Sequence, residues 1–364
     1  MKISKLIETN FIHRLGRTYL KNEELHMNFS GSGIRLLCDS DYLNLKFKAR
    51  FKDINSAPYI ALIVDGNINY IAIDEETKSI KLPLKSALHQ IDVIKNTESP
   101  VSQIALLEVE ADSFLKYNHQ KKLKLEFYGD SITCGYGVLD DVETNPFTSK
   151  TESFVDSYAY IASRLLDSDY SSISVSGFPV YKSRWNLGFP IDSVADMISI
   201  CDYEEPMTSD TSTLWDNSNY IPDVVVINLG ANDESYFTVG TDWVDELVSE
   251  VGSFEKAIYT KKYQDELDKM EEKIFAFLDN IFRIYGDIKV VYATGILPII
   301  DIVDSKITEA ILKYQKERNH KVYRYQFKVR NHFNQRGANY HPGKQMQVFS
   351  GCELANYIFD ILGD

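Results

Sequence analysis

Cysteine is scarce in this chain. Four occur in 364 residues, Cys38, Cys134, Cys201 and Cys352, with no close pair and no metal-ligand spacing. That excludes a dense disulfide framework and a cysteine-built zinc site, and leaves buried free thiols as the reading. Positive charge is also in short supply. The 39 Lys and Arg stand against 53 Asp and Glu, a net charge of −14. Phosphate backbones are bound by clustered cations, so no nucleic-acid partner is expected. An acidic surface serves solubility and suits an uncharged substrate equally well. No apolar run approaches membrane-spanning length, so no membrane partner is expected. The N-terminus, from Met1 to Glu8, lacks the apolar core and small-residue cleavage site of a signal peptide. A cytoplasmic location is therefore the expectation, with export by a route other than Sec left open. There is no internal repeat and no low-complexity segment, and composition says nothing about oligomeric state.

What the chain does have is a change of pattern near residue 112. Before it, Leu43, Leu45, Phe47, Ala49 and Phe51 alternate with Asn44, Lys46, Lys48 and Arg50, the period of a half-buried strand. Residues 60–64 and 68–73 read as two more strands joined at Asp65-Gly66-Asn67, a hairpin signal. Residues 88–94 and 104–109 follow, separated by Thr97-Glu98-Ser99-Pro100. Short antiparallel strands between turns predict a β-sandwich over 1–112, of jelly-roll type. Such a domain binds carbohydrate or simply packs on its neighbour; both readings stand. Residues 113–122 are polar and read as a linker.

From residue 123 to 364, strands and helices alternate, the mark of a parallel α/β sheet. Strands are expected at 123–128, 172–175, 224–229 and 289–293. Helices are expected at 154–166, over 254–285 as one or two pieces, and at the C-terminus, where Met346, Phe349, Leu354, Tyr357, Ile358 and Ile361 make an apolar stripe. Two polar segments, 139–153 and 202–220, read as long loops, the kind that builds binding sites at the carboxyl end of such a sheet.

Three segments carry chemistry. Gly129-Asp130-Ser131-Ile132 closes the first of these strands, Gly230-Ala231-Asn232-Asp233 closes the third, and His341-Pro342-Gly343 precedes the last helix. Gly-Asp-Ser alone is ordinary turn chemistry. A serine hydroxyl becomes a nucleophile only beside a base such as histidine, and its tetrahedral intermediate needs aimed hydrogen-bond donors. Val175-Ser176-Gly177, after another β-rich run, offers a candidate donor glycine, although Gly177 reads equally as a plain turn glycine.

Serine, glycine, asparagine and histidine in this order resemble the SGNH or GDSL hydrolase superfamily. The blocks Glu126-Phe-Tyr-Gly-Asp-Ser-Ile-Thr-Cys-Gly-Tyr-Gly137, Trp215-Asp216 with the run from Pro222 to Asp233, and Gly337-Ala-Asn-Tyr-His-Pro342 are similar to those of carbohydrate esterase family 2, the acetyl xylan esterase-like group. The resemblance spans nearly the whole chain. It implies a flavodoxin-like parallel sheet with helices on both faces, preceded by a β-domain, and removal of O-acetyl groups from oligo- or polysaccharides without metal or organic cofactor. It implies Ser131 as nucleophile and His341 as base. The N–H groups of Ser131 and Gly177 and the Asn232 amide would form the oxyanion hole. Tyr340, beside His341, is the candidate for stacking on a sugar. Trp215 is a second, although burial is the better reading for it and for Trp185. Asp233 is expected to bind backbone nearby, and Cys134 to be a packing residue.

One position departs from the superfamily pattern. Many members carry Asp three residues before the histidine, and here that residue is Ala338. The expectation is a Ser–His dyad with a carbonyl orienting the imidazole; a carboxylate from elsewhere in the chain is the alternative. Two rival functions are a hydrolase of another ester, lipid or thioester, and a carbohydrate-binding protein with a weak catalytic centre.

Overall fold

The computed structural model describes residues 1–118, 121–185, 191–203 and 212–363. The N-terminal part is one antiparallel network of nine strands. Its axis is Gly33–Phe51, 19 residues long, paired with the equally long Thr77–Lys95. Leu43, Leu45, Phe47 and Ala49 are buried, as their alternation predicts. Tyr59–Val64 and Asn67–Ala72 form the expected hairpin. Its turn residues Asp65 and Gly66 both have positive φ, 50° and 87°, which matches the twist of the flanking strands. Part of the expected linker is instead structural. Ser113–Leu115 pairs with Gly33–Phe51, while residues 119–120 lie outside the described ones.

The C-terminal part is built on five parallel strands in the order Asp169–Ser174, Lys124–Gly129, Val224–Asn228, Lys289–Thr294, Val322–Gln326. In chain order this is 2-1-3-4-5, so the direction of winding reverses between the first and third strands. The central strand Val224–Asn228 is an unbroken apolar run up to Asn228 because both faces of the sheet are covered there. Tyr128, Val225, Ile227, Val290 and Tyr292 pack with Met270, Ile274 and Phe277 of helix Lys261–Tyr285 and with Ile307 and Ile311 of helix Asp301–Arg318. On the other face Leu125, Phe127, Val224, Val226 and Val291 pack with Tyr158 and Ala162 of helix Tyr158–Leu165 and with Leu354 and Ile358 of helix Lys344–Leu362.

The two parts share core and polar contacts. Leu15, Ala61, Ile63 and Ile94 of the N-terminal sheet join the cluster around Phe154 and Tyr158. Arg17, fully buried, reaches Glu126 at 3.4 Å and the carbonyls of Met197 and Ile200 at 3.2 and 2.6 Å. Tyr128 and Tyr285 donate their hydroxyls to the same Glu126 carboxylate. Removing one partner of such a pair strands a buried charge, a loss of about 3–5 kcal/mol. Of the four thiols, Cys38, Cys134 and Cys201 are buried as expected. Cys352 is exposed, because it falls on the solvent side of the last helix.

Candidate active site

Strand Lys124–Gly129 runs into Asp130, whose extended backbone and carboxylate cap the four-residue helix Ser131–Cys134. Asp130 Oδ1 accepts the Ile132 N–H at 3.0 Å. Ser131 thereby stands at the first helical position, 7% exposed, at the carboxyl end of the first strand. Its N–H has no hydrogen-bond partner among the described residues.

The histidine arrives from the other end of the chain. Gly337 packs so closely on the nucleophile segment that a Cβ there would lie 2.1 Å from the Gly137 carbonyl oxygen. The Ala338, Asn339 and Tyr340 N–H groups then donate to the carbonyls of Gly137, Asn145 and Glu143, at 3.0, 2.9 and 3.0 Å. Asn339 and Tyr340 both adopt left-handed backbone, φ 51° and 60°, easy for Asn and unusual for Tyr. This turn brings His341 Nε2 to 2.8 Å from Ser131 Oγ and Nδ1 to 2.9 Å from the Asn339 carbonyl oxygen. A carbonyl only accepts, so Nδ1 carries the proton and Nε2 is left to accept from the serine hydroxyl. Among the described residues no carboxylate lies within 4 Å of the imidazole. Burial, aided by the Arg336 charge, pushes the His341 pKa down to about 4.

Two residues that the sequence left without a role hold this pair. The Tyr136 ring lies 4.2 Å from the imidazole, centroid to centroid, and Phe147 stacks on the other side of Tyr136 at 4.0 Å. Tyr136 sits inside the nucleophile block, where its spacing from Ser131 was the available signal. The second is Asn339, whose contribution is a backbone carbonyl and leaves no trace in residue type.

Asn232 and Gly177 converge on the same end of the sheet. Asn232, just after the third strand, donates its amide to Asp130 Oδ2 at 3.1 Å and to the Phe178 carbonyl at 3.2 Å. Gly177 follows the second strand with φ 82°, and its N–H has no partner among the described residues. Asp233, fully buried, accepts the N–H groups of Val180, Tyr181 and Lys182 at 3.0, 2.7 and 3.3 Å and so fixes the segment after Gly177. Burial pushes the Asp130 carboxyl up to about 7, with the neighbouring Asp233 charge adding to it. A cleft of about 280 Å³ opens beside Ala231, between Arg184, Ser235, Leu297 and Pro298.

The aromatic candidates divide. Tyr340 is 56% exposed next to His341. Trp215 does not serve as a sugar platform: it is 9% exposed and packs against the Arg17 guanidinium at 5.6 Å, in the cluster around Glu126. Trp185 goes the other way. Expected to be buried, it is 58% exposed with Arg184 beside its ring. Cys134 is buried and offers its thiol to Glu98, 3.7 Å away.

Comparison with known proteins fits this geometry. The family GDSL-like Lipase/Acylhydrolase matches residues 125–349. The chain is 30% identical over 289 residues to the cellulase/esterase CelE of Acetivibrio thermocellus, which covers 77% of this chain and 31% of that protein. It is 24% identical over 232 residues to an acetylxylan esterase / glucomannan deacetylase of Cellvibrio japonicus, 62% of each chain. The chain thus spans less than two thirds of the curated relatives it matches. Among solved structures, a family two carbohydrate esterase from Clostridium thermocellum in complex with cellohexaose superposes with a TM-score of 0.80 at 24% identity, over 97% of this chain and 99% of that one. An acetyl xylan esterase from the rumen bacterium Butyrivibrio proteoclasticus does so with 0.80 at 20%, over 98% and 96%. These two establish the fold.

Proposed function

This chain belongs to the GDSL-like lipase/acylhydrolase family, and from that premise we propose that it is a serine esterase that removes O-acetyl groups from carbohydrates. The observation that carries the reading is the 2.8 Å contact between His341 Nε2 and Ser131 Oγ, with the imidazole tautomer fixed by the Asn339 carbonyl. In this reading Ser131 Oγ attacks the acetyl carbonyl as its proton passes to His341 Nε2. The Ser131 and Gly177 N–H groups and the Asn232 amide meet the developing oxyanion. The Asn232 N–H that faces the Phe178 carbonyl would be shared with it, while the one on Asp130 keeps the amide oriented. His341 then returns the proton to the leaving sugar oxygen, and water activated by the same nitrogen releases acetate.

The centre works as a dyad. A neutral carbonyl selects the tautomer, although it stabilises the imidazolium less than a carboxylate would. The substrate class rests on the names of the relatives, an acetylxylan esterase / glucomannan deacetylase among them. Exposed Tyr340 is the residue placed to meet a sugar. We also read residues 1–112 and 123–364 as two domains, the first a jelly roll. Support for the latter comes from the two 19-residue strands, whose inward side chains enclose a core of their own.

The test is acetate release from acetylated oligosaccharides of several backbones, together with 4-nitrophenyl acetate, butyrate and octanoate. Acetyl esters should be cleaved fastest. Preference for octanoate would move the assignment to lipid esters, and absence of turnover on every ester would leave a carbohydrate-binding protein.

A further inference from the structure

Glu98 belongs to the N-terminal part of the chain, yet its carboxylate is buried in the C-terminal part, behind the nucleophile. It is 2% exposed. Its Oε2 accepts the Ser176 N–H at 2.7 Å and the Cys134 thiol at 3.7 Å. Cys134 closes the helix that Ser131 opens, and Ser176 precedes Gly177. One oxygen atom therefore ties together the two segments that carry the Ser131 and Gly177 N–H groups. We propose that Glu98 is the positioning residue of the oxyanion hole, supplied to the hydrolase centre by the N-terminal domain. The proposal rests on reading Ser131 and Gly177 as the oxyanion donors.

The segment that delivers Glu98 is anchored on both sides. The buried Lys95 ammonium donates to the carbonyls of Asn28, Thr97 and Glu98 at 2.8, 2.9 and 2.9 Å, which fixes the turn from within its own domain. Asn96 fixes it to the other one. Its carbonyl accepts the Phe154 N–H at 3.1 Å, and its side chain meets Val155 N–H at 3.1 Å and Ser153 Oγ at 3.0 Å. The turn is thus rigid before Glu98 reaches Ser176.

A buried carboxylate is costly unless something offsets it. Glu152, 1% exposed, places its own carboxyl in the same chamber, and both its oxygens lack a hydrogen-bond partner among the described residues. The ligand atoms of Glu98, Cys134 and Glu152 all lie within 4.8 Å of one another. Like charges so close in an apolar setting disfavour ionisation of both carboxyl groups at once. Burial raises the pKa of both, the Glu98 charge raises that of Glu152 further, and the Lys95 ammonium acts against the rise.

The role separates from mere packing by the kind of substitution. Glu98→Gln keeps a carbonyl oxygen able to accept the Ser176 N–H, whereas Glu98→Ala removes it and Glu98→Asp falls short of it. Turnover of 4-nitrophenyl acetate and thermal unfolding are measured for all three, for Asn96→Ala and for Ser131→Ala. Displacing an oxyanion donor should lower kcat in Glu98→Ala by roughly a hundredfold, with KM little changed. Glu98→Gln should retain most of the turnover, and Glu98→Asp should resemble alanine even if alanine fails to fold. Asn96→Ala, which loosens the turn that delivers Glu98 without removing its carboxyl, should lower Tm and lower kcat less than Glu98→Ala does. Wild-type kcat in a folded Glu98→Ala or Glu98→Asp protein overturns the proposal, as does a glutamine variant as impaired as the other two. A Ser131→Ala protein that still turns over would instead overturn the underlying reading of the centre.

Discussion

Asp130 and Asn232, neighbours of two different strand ends and 102 residues apart, are joined by a 3.1 Å hydrogen bond from the asparagine amide to the carboxylate. The contact spans the crevice where the winding of the sheet reverses. It ties the segment after the third strand to the one that carries Ser131.

From that bond follows a prediction for Asn232→Ala. A donor that meets only the oxyanion contributes in the transition state, about 3 kcal/mol in comparable sites. Turnover should therefore fall by two to three orders of magnitude with KM nearly unchanged, as steady-state kinetics on 4-nitrophenyl acetate would report. Unchanged kcat with a raised KM would assign Asn232 to substrate binding instead.

Ser131→Ala removes the hydroxyl that donates to His341 Nε2. The protein should fold normally, since alanine is tolerated at a first helical position, and should lose nearly all activity, by up to roughly a million-fold in triad-type centres. Circular dichroism and acetate release, read on one sample, check both halves of this statement.

The pH profile is the third. His341 must be neutral to take the serine proton, and its neutral fraction grows as pH rises through its pKa. That pKa is depressed from the ordinary 6.5 to about 4 by burial and by the Arg336 charge. The acid limb of kcat/KM should consequently lie well below pH 6.5, and activity should persist at pH 5.5. Neutralising the neighbour, in Arg336→Gln, should move the limb upward. A limb centred near pH 7 in the native protein would mean that a carboxylate supports the imidazole after all.

Gly337→Ala tests how the pair is assembled. An added Cβ would sit 2.1 Å from the Gly137 carbonyl oxygen, so one of the two backbones must move. A loss of about 1–3 kcal/mol in stability is expected, with a larger fractional loss in kcat because the displaced segment carries His341. Comparing Tm with turnover decides it; an unaffected kcat would show that the two segments are set independently.

The sequence exposed what local chemistry controls. The strand over Val224–Asn228 was legible because a parallel strand covered on both faces is apolar throughout. The Asp65-Gly66 hairpin was legible because two successive positive φ angles restrict residue choice. Val322–Gln326 passed unnoticed, since an edge strand with half-exposed tyrosines and an arginine lacks that apolar signature. Helix Asp301–Arg318 was visible in principle, from Val303, Ile307, Ala310, Ile311 and Tyr314, but its exposed face is dense in charge and masked the stripe. At the site, Ser131, Asn232 and His341 announced themselves through their turns. Tyr136 and Glu98 did not, because their importance comes from partners that only the folded chain brings near. Trp215 is buried, the better of its two readings, but its neighbour Arg17 lies almost two hundred positions away and was not legible.

The left-handed turn at Asn339 and Tyr340 has a thermal consequence. Conformational energy is stored there and offset by the hydrogen bonds of the Asn339 and Tyr340 N–H groups to the Asn145 and Glu143 carbonyls, all four residues exposed. Those bonds belong to the part of the molecule with least to lose on opening, whereas the sheet beneath is buried on both sides. On heating, or in mild denaturant, the imidazole should swing away from Ser131 while the cores stay intact. Inactivation should therefore run ahead of melting, and should reverse fully on cooling as long as the sheet has not opened.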